Sequence, residues 1–206
     1  MDTKEFKNIF KIKYGYFEVK NPGSPQESQR IFTDKYYQNS MSVYKQEYEE
    51  EELIFFENKL KQKEMILKHY LPERDRLSFL DIGCGEGFAL SYFHRKGYEV
   101  MGIDFSSYGI ERHNPQMKTY LRVGDCEIIL SEMIENNKKF DIINLDGVLN
   151  VLHNPEKILT LIGNCLTEDG VLLIKVANNY SVLQLELLKK KKIRKAYWAE
   201  NVEGGG

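Results

Sequence analysis

Short apolar runs alternate with amphipathic segments along most of this chain. Residues 48–70 carry apolar side chains at near-helical spacing behind an acidic entry, which predicts a helix that ends before Pro72. Strand-like apolar runs follow at 79–82, 98–103, 120–123, 140–145 and 171–176. Helical patterns follow these runs in turn, at 87–96, from 107, and at 128–136, 155–166 and 182–192. The chain therefore reads as repeated units of one strand and one helix.

These strands are too apolar to face water on either side, which predicts a parallel sheet covered by helices on both faces. Because crossovers between parallel strands are right-handed, the expected fold class is a doubly wound α/β fold. Residues 1 to about 40 are aromatic-rich, aperiodic and broken around Pro22 and Pro25, so we expect an irregular segment with one short helix there. The 206 residues are expected to form a single domain, with an arm or lid at 1–47 and the α/β part at 48–206.

The charge balance constrains the partners. There are 29 Lys and Arg against 31 Asp and Glu, a net charge of -2, which argues against nucleic acid and favours a small, near-neutral partner. The lysines at 189–192 fit a solvated helix face. No run approaches the roughly 18 to 20 apolar residues that span a bilayer, and no signal-peptide core is present. We therefore expect a cytoplasmic location without membrane insertion, and the pattern leaves the oligomeric state open.

The three cysteines, Cys84, Cys126 and Cys165, are odd in number and widely spaced. This pattern argues against a disulfide framework and against a paired-cysteine metal site. We expect reduced thiols, with packing as the ordinary role of each, and no metal.

A glycine-rich turn lies between the first strand of the sheet and the following helix. Gly83, Gly85 and Gly87 alternate behind Asp81, and such spacing lets the backbone pass close to a ligand in front of the free N–H groups of a helix. A nucleotide-like ligand is expected. A dinucleotide-dependent oxidoreductase would require its third glycine at the position of Phe88, so this NAD-binding alternative is disfavoured.

The segment around this turn resembles motif I of class I S-adenosylmethionine-dependent methyltransferases. The resemblance covers about residues 71–176 and implies S-adenosylmethionine as cofactor and S-adenosylhomocysteine as product. It assigns the cofactor's ammonium group to Asp81, the ribose hydroxyls to Asp104, and the adenine to Asp125 with the next backbone N–H. The full set that it implies for cofactor binding is Asp81, Gly83, Cys84, Gly85, Gly87, Asp104, Phe105, Ser106, Asp125, Cys126 and Asp146. Each aspartate taken alone fits a turn or a helix cap equally well.

Within that family, residues 141–149 and Asn154, Pro155 and Glu156 resemble the branch of ubiquinone and menaquinone biosynthesis methyltransferases. That branch usually has a Glu-His pair before the Asn-Pro step, whereas this chain has Asn150 and Val151, with a histidine only at His153. The family also adds an antiparallel hairpin after the last helix, and we expect that hairpin to be missing here.

Methyl transfer by in-line displacement requires positioning and exclusion of water, but no metal. A general base is needed only for an acceptor that must lose a proton. His153 and His113 are the candidates for that base, although a surface or capping histidine is the more ordinary role. Asp146 is a weak catalytic candidate, since Asp146 and Asn150 could line the methyl site, although Asp146 could equally hold the turn. Aromatic residues near the arm are expected either to form a lid or simply to pack, and these are Tyr36, Tyr37, Tyr44, Tyr48, Phe55 and Phe56.

The expected function is S-adenosylmethionine-dependent methyl transfer to a small-molecule or glycan-precursor acceptor, with carbon, nitrogen or oxygen as the acceptor atom. The alternative is a non-catalytic module that binds S-adenosylmethionine or S-adenosylhomocysteine. It is motivated by the missing Glu-His pair and by the position at which the chain ends.

Overall fold

A computed structural model describes residues 9–11, 17–19, 24, 30, 45–178 and 181–192. Its strands are β1 (Ile9–Lys11), β2 (Phe17–Val19), β3 (Ser78–Ile82), β4 (Glu99–Asp104), β5 (Leu121–Val123), β6 (Phe140–Asp146) and β7 (Leu166–Lys175). Its α-helices are α1 (Glu50–Tyr70), α2 (Phe88–Arg95), α3 (Tyr108–His113), α4 (Cys126–Glu135), α5 (Pro155–Cys165) and α6 (Val182–Lys189). Two 3₁₀ turns are η1 (Pro115–Tyr120) and η2 (Leu149–Val151).

Strands β3 to β7 form one sheet in the order β5-β4-β3-β6-β7, and every pairing within it is parallel. Along the chain, the first strand of this sheet is the central strand β3. Strands β4 and β5 are added on one side of it, and β6 and β7 are then added on the other side. The strand order therefore reverses between β3 and β6, which is where open α/β sheets place their ligand crevice. The predicted doubly wound fold is confirmed.

Each face of the sheet is covered by its own hydrophobic core. Alternate residues of β3 point to opposite faces, so Phe79 packs under α1 and α2 while Leu80 packs under α4 and α5. On β6, Ile142 and Ile143 divide in the same way. Strands buried on both faces explain why these runs are almost continuously apolar.

Helix α1 lies across the first of these faces. It begins with a capping box between Glu49 and Glu52. Leu60, Glu64 and Leu67 are its buried residues, at the spacing of one helical face. Glu64 accepts a hydrogen bond from the hydroxyl of Tyr92 on α2, so a polar contact joins the two helices within this core.

A buried carboxylate ties the amino ends of the central strands together. Asp141 on β6 accepts hydrogen bonds from the backbone N–H (2.9 Å) and the hydroxyl (2.8 Å) of Ser78, and it pairs with Arg74. Burial opposes the charged form of Asp141, but the bonds from Ser78 and the Arg74 charge hold its pKa below the ordinary value. This contact lies at the amino ends of β3 and β6, whereas the glycine turn lies at the carboxyl ends of the strands.

Two expectations need correction, and one element was not predicted. The segment expected to be irregular contains β1 and β2, which pair antiparallel. Strand β7 begins at Leu166 rather than at residue 171, because Leu166 pairs with Phe140 and an irregularity in register absorbs the polar residues that follow it. The turn η1 was not predicted. The expected absence of a final hairpin concerns residues after 192, which lie outside the described residues. Within the described ranges, no helix is long and apolar enough to cross a membrane.

Candidate functional site

The glycine turn connects β3 to α2 at the carboxyl end of the sheet. Gly83, Gly85 and Gly87 all have positive φ, at +70°, +54° and +75°. A Cβ on Gly83 would lie 2.3 Å from Cγ2 of Val148, so the turn also passes too close to its neighbour for a side chain. Gly83 is therefore required by both its backbone conformation and its contact with Val148, while Gly85 and Gly87 are favoured by their positive φ.

Asp104 at the end of β4 holds this turn in place. Its Oδ2 accepts a hydrogen bond from the backbone N–H of Gly85 (2.8 Å), and its Oδ1 accepts one from Ser106 (3.0 Å). Burial raises the pKa of Asp104, while these N–H donors act in the opposite direction. The ends of β3 and β4 are thereby joined around one partly buried carboxylate. Ser106 is itself buried, and its hydroxyl accepts from the N–H of Tyr108 (3.2 Å).

Asp125, after β5, is the N-cap of α4. Its Oδ1 accepts a hydrogen bond from the N–H of Glu127 (2.7 Å). Asp125 therefore acts as a helix cap, the ordinary role considered for it above. A contact of Asp125 with adenine stays a prediction. The next residue, Cys126, is buried, and burial raises the pKa of its thiol to about 12.

The cysteines in the two motifs pack under the site. Burial raises the pKa of the Cys84 thiol, and a Cβ on Gly102 would lie 2.8 Å from its sulfur. All three cysteines are free and buried, as expected. Within the part of the chain that the structure describes, no group of three or more His, Cys, Asp or Glu side chains could hold a metal ion.

A chain of polar contacts crosses the carboxyl ends of β3, β6 and β7, and we call it the strand-end network. Its members are Asp81, Asn144, Lys63, Asp146 and Lys175. Nδ2 of Asn144 donates to Oδ1 of Asp81 (2.6 Å). The ammonium of Lys63 on α1 donates to Oδ1 of Asn144 (2.9 Å) and to Oδ2 of Asp146 (2.8 Å). Lys175 pairs with the other oxygen of Asp146.

Strand register explains this network. Asp81 is the partner of Asn144 across β3 and β6, and Asp146 is the partner of Lys175 across β6 and β7, so each pair shares one face of the sheet. Lys63 lies in α1, one position before the buried Glu64, and reaches down onto that face. The network is therefore built by one helix and three adjacent strand ends.

The two carboxylates of the network differ in their proton affinity. Burial raises the pKa of Asp81 to about 6, although Asn144 and the charge of Lys63 counteract it. Burial also acts to raise the pKa of Asp146, but hydrogen bonds from Lys175 and Lys63 outweigh it and leave that pKa below the ordinary value. Asp81 is thus a buried carboxylate that a nearby cation would stabilise, whereas Asp146 already has two.

An aromatic cluster covers the outer side of the glycine turn. Tyr48 lies edge-on to Phe56 and Phe88, with ring centroids 5.1 and 5.7 Å away. Its hydroxyl donates to Oε1 of Glu86 (2.6 Å), a buried residue of the turn. Burial raises the pKa of Glu86 to about 7. The segment preceding α1 is therefore bound directly to the turn.

Comparison with known protein families matches residues 55–204 to a model described as a methyltransferase domain. The chain belongs to this methyltransferase domain family. The match includes the glycine turn and all the strand ends described above, and it confirms the family that the sequence motifs indicated.

Curated relatives agree with this family. The methyltransferase domain is 31% identical over 105 residues to a ubiquinone biosynthesis O-methyltransferase of Glaesserella parasuis serovar 5 (strain SH0165), covering 48% of this chain and 44% of that protein. It is 28% identical over 102 residues to a protein of the same name from Pelagibacter ubique (strain HTCC1062), covering 50% and 42%. The chain thus spans less than half the length of these relatives.

Solved structures support the fold. A SAM dependent methyltransferase from Archaeoglobus fulgidus superposes with a TM-score of 0.52 at 18% identity, covering 66% of this chain and 59% of that one. The plantazolicin methyltransferase BpumL, solved with a pentazolic desmethylPZN analog and SAH, gives 0.51 at 19% identity, covering 80% and 62%. The methyltransferase domain therefore has the fold of these proteins.

The two candidate histidines lie in different places. His153 is half-buried between η2 and α5, just past the end of β6. His113 ends α3, and its Nε2 is 2.9 Å from the carbonyl oxygen of Lys45 and 3.4 Å from Oε1 of Glu86. A carbonyl only accepts, so this contact places a proton on Nε2 of His113. The ring of His113 also lies against Tyr48, with centroids 5.1 Å apart, so it belongs to the aromatic cluster. A role for His153 as base stays a prediction.

The expected lid is described only in part. Tyr36, Tyr37 and Tyr44 lie outside the described residues, and Phe55 is exposed. Tyr48 and Phe56 pack in the aromatic cluster, the more ordinary of the two roles considered. A lid function stays a prediction.

Four residues near the site were missed by sequence reasoning: Lys63, Asn144, Lys175 and Glu86. Asn144 did carry a signal, because a polar residue inside a fully buried strand needs a partner. The two lysines carried none, since lysine is common on exposed helix faces and strand ends.

Proposed function

We propose that this methyltransferase domain binds S-adenosylmethionine and transfers its methyl group to a small-molecule or glycan-precursor acceptor. The observation that carries this proposal is the junction of Asp104 with the backbone N–H of Gly85, which joins the glycine turn and the end of β4 beside the point where the strand order reverses. Such a crevice is where doubly wound folds bind nucleotide-like ligands. Membership of the methyltransferase domain family decides which of those ligands is expected.

The residues present fit this cofactor. Asp81 is a fully buried carboxylate whose raised pKa would return toward normal beside an ammonium group. Asp104 is partly exposed and can accept hydroxyl hydrogen bonds on oxygens that already bind backbone N–H groups. Asp125 and Cys126 would lie at the adenine end, and Phe105 and Ser106 beside the ribose. When bound, S-adenosylmethionine supplies the methyl group on a sulfonium.

The chain's own residues orient the acceptor and shield the site. Helix α1 covers the ends of β3 and β6 through Lys63, so this side of the site is closed by a packed helix. Asp146 is disfavoured as a general base, because Lys63 and Lys175 stabilise its charged form. His153 remains the candidate base for an acceptor that must lose a proton.

The names of the relatives support oxygen as the acceptor atom. Both curated relatives described above are O-methyltransferases, although this chain spans less than half of each. A hydroxyl acceptor must lose its proton, so it needs either a general base or a lowered pKa of its own. His153, which follows the end of β6, is the residue that we propose for this base. Replacement of His153 by glutamine should then lower turnover without weakening cofactor binding.

The first test is calorimetric titration of the chain with S-adenosylhomocysteine, with NAD as a second titrant. Loss of the charged acceptor in Asp104→Ala should weaken S-adenosylhomocysteine binding by about 10- to 100-fold. Asp104→Asn keeps one acceptor oxygen and should lose less. Asp75→Ala, at an exposed aspartate before β3, is the matched control and should bind normally.

Two results would overturn the proposal. Wild-type chain that binds NAD but not S-adenosylhomocysteine would contradict the cofactor assignment. Equal binding by wild type and Asp104→Ala, with both folded by circular dichroism, would contradict the site. If binding is confirmed, transfer of a labelled methyl group to an acceptor distinguishes an enzyme from a non-catalytic binding module.

A further inference from the structure

We infer that the acceptor carries a dianionic group, such as a phosphate, which Lys59, Lys63 and Lys175 bind beside Asp146. This inference rests on the proposed function, because it assigns the acceptor side of the same site. The three lysines and Asp146 are called the lysine cluster below. Three observations support the assignment: the position of the cluster, its excess of positive charge, and the lack of a carboxylate partner for Lys59 among the described residues.

The lysine cluster consists of Lys59 together with the part of the strand-end network that lies away from the glycine turn, namely Lys63, Asp146 and Lys175. The network starts at Asp81 on β3, passes through Asn144 and Asp146 on β6, and ends at Lys175 on β7. Side-chain exposure rises along it, from 16% for Lys63 to 31% for Asp146 and 50% for Lys175. A ligand can therefore reach the β7 end of the network, next to the region assigned to the cofactor.

The cluster has an excess of positive charge. Lys63 and Lys175 both bind the single carboxylate of Asp146, and Lys59 lies close enough to interact electrostatically with Lys175, Asp146 and Lys63. Two ammonium groups thus bind one carboxylate and a third lies nearby, which leaves an excess of two positive charges. The next carboxylate, Asp81, binds Asn144 and acts on the cluster only at a distance.

Lys59 is the member without a carboxylate of its own. Among the described residues, its ammonium lies over the ring of Phe55, 4.8 Å from the centroid, and near the other charges of the cluster. Burial lowers the pKa of Lys59, and the positive charge of Lys175 lowers it further. An anion placed between Lys59 and Lys175 would remove this repulsion and stabilise both charges.

Lys61, two residues further along the same helix, shows how an ordinary surface lysine behaves here. Its ammonium is 3.4 Å from Glu57 one turn away, and both side chains are exposed. The unpaired state of Lys59 is therefore not a general property of α1. It arises because Lys59 and Lys63, four residues apart, lie on the side of the helix that faces β6 and β7.

The charge excess selects the kind of anion. A phosphate monoester carries about -1.5 to -2 charges near pH 7 and has three acceptor oxygens, whereas a carboxylate carries only one charge. Lysine ammonium groups bind phosphate as point charges and do not require the fork geometry of arginine. A phosphorylated small molecule or glycan precursor is therefore the acceptor class that the cluster fits.

The test uses inorganic phosphate as the probe, titrated into the full chain with saturating S-adenosylhomocysteine at constant ionic strength and followed by calorimetry. We expect saturable binding that Lys59→Met and Lys175→Met each weaken about tenfold or more, as expected for loss of a charged hydrogen bond. Lys61→Met is the control on the same helix and should bind phosphate as the wild type does. Circular dichroism establishes that each variant is folded, and Lys59→Gln serves if the methionine variant is not.

S-adenosylhomocysteine binding by the same variants separates this inference from the proposed function. Unchanged binding in Lys59→Met and Lys175→Met, together with weakened phosphate binding, supports an acceptor site. Weakened S-adenosylhomocysteine binding in these variants would mean that the lysines hold the cofactor's own carboxylate, and it would overturn the inference. Phosphate that does not bind, or that binds all variants equally, would also overturn it. Failure of wild type to bind S-adenosylhomocysteine would instead refute the proposed function.

Discussion

Replacing Gly83 by alanine tests whether the close contact between the glycine turn and Val148 shapes the site. Gly83 has φ +70°, and a Cβ there would lie 2.3 Å from Cγ2 of Val148. The left-handed backbone is unfavourable for alanine by about 1–2 kcal/mol, and overpacking adds about 1–3 kcal/mol. We therefore expect Gly83→Ala to lower the free energy of unfolding by about 2–5 kcal/mol, measured by urea denaturation.

The chain offers a matched control for this measurement. Gly97 also has positive φ, at +87°, but a Cβ there would meet nothing within 4 Å. Gly97→Ala should therefore lose only the backbone part, about 1–2 kcal/mol. Adding Val148→Ala to Gly83→Ala removes the clashing methyl group and should recover part of the lost stability. Equal losses in Gly83→Ala and Gly97→Ala, or no recovery in the double variant, would contradict a clash between residue 83 and Val148.

Two further predictions concern buried carboxylates and pH. The lowered pKa of Asp141, held by Ser78 and Arg74 against the effect of burial, stabilises the fold above about pH 4, and this contribution is lost as the pH falls through the folded value. Asp141→Asn should lower the free energy of unfolding at neutral pH by about 1–3 kcal/mol and reduce its acid dependence in urea titrations; an unchanged acid dependence would contradict this. Burial raises the pKa of Glu86 from 4.5 to about 7, so the folded chain keeps a proton that the unfolded chain loses, and stability falls as the pH rises through this window. Glu86→Gln should flatten that fall, most clearly between about pH 5 and 6.5, whereas Tyr48→Phe should extend it upward; a slope that Glu86→Gln leaves unchanged would contradict the assignment.

Much of the fold could be predicted because its signals are local. The strands at β3 and β6 are buried on both faces, so their apolar runs identify them without knowledge of their neighbours. The glycines of the turn are recognisable because each needs a positive φ. The start of β7 could not be found in the same way, since Leu166 is a strand residue only through its pairing with Phe140.

The candidate site could be predicted in part because several of its residues lie at the ends of strands. Asp81, Asp104 and Asp125 follow apolar runs, and parallel strands bring such ends to one edge of the sheet. Their individual environments could not be read from the pattern. Asp125 caps α4, Asp104 binds the glycine turn, and Asp81 is buried beside Asn144.

The net charge of -2 is a sum over the whole chain, so it does not show local clusters of one charge. It favoured a near-neutral partner, yet it says nothing about where individual charges lie. Lys59 and Lys63 are four residues apart in α1, and Lys175 is more than a hundred residues further along the chain. Only the packing of α1 over β6 and β7 brings their ammonium groups around Asp146.

The fold class, the family and the glycine turn could be predicted from the sequence, because periodicity, buried strands and positive φ depend on neighbouring residues along the chain. The strand-end network, the link between Tyr48 and Glu86, and the proton affinities of the buried carboxylates could not be, because they arise from tertiary packing. These properties depend on distances between residues far apart in sequence and on how much water each group retains, and both are set only when the helices pack onto the sheet.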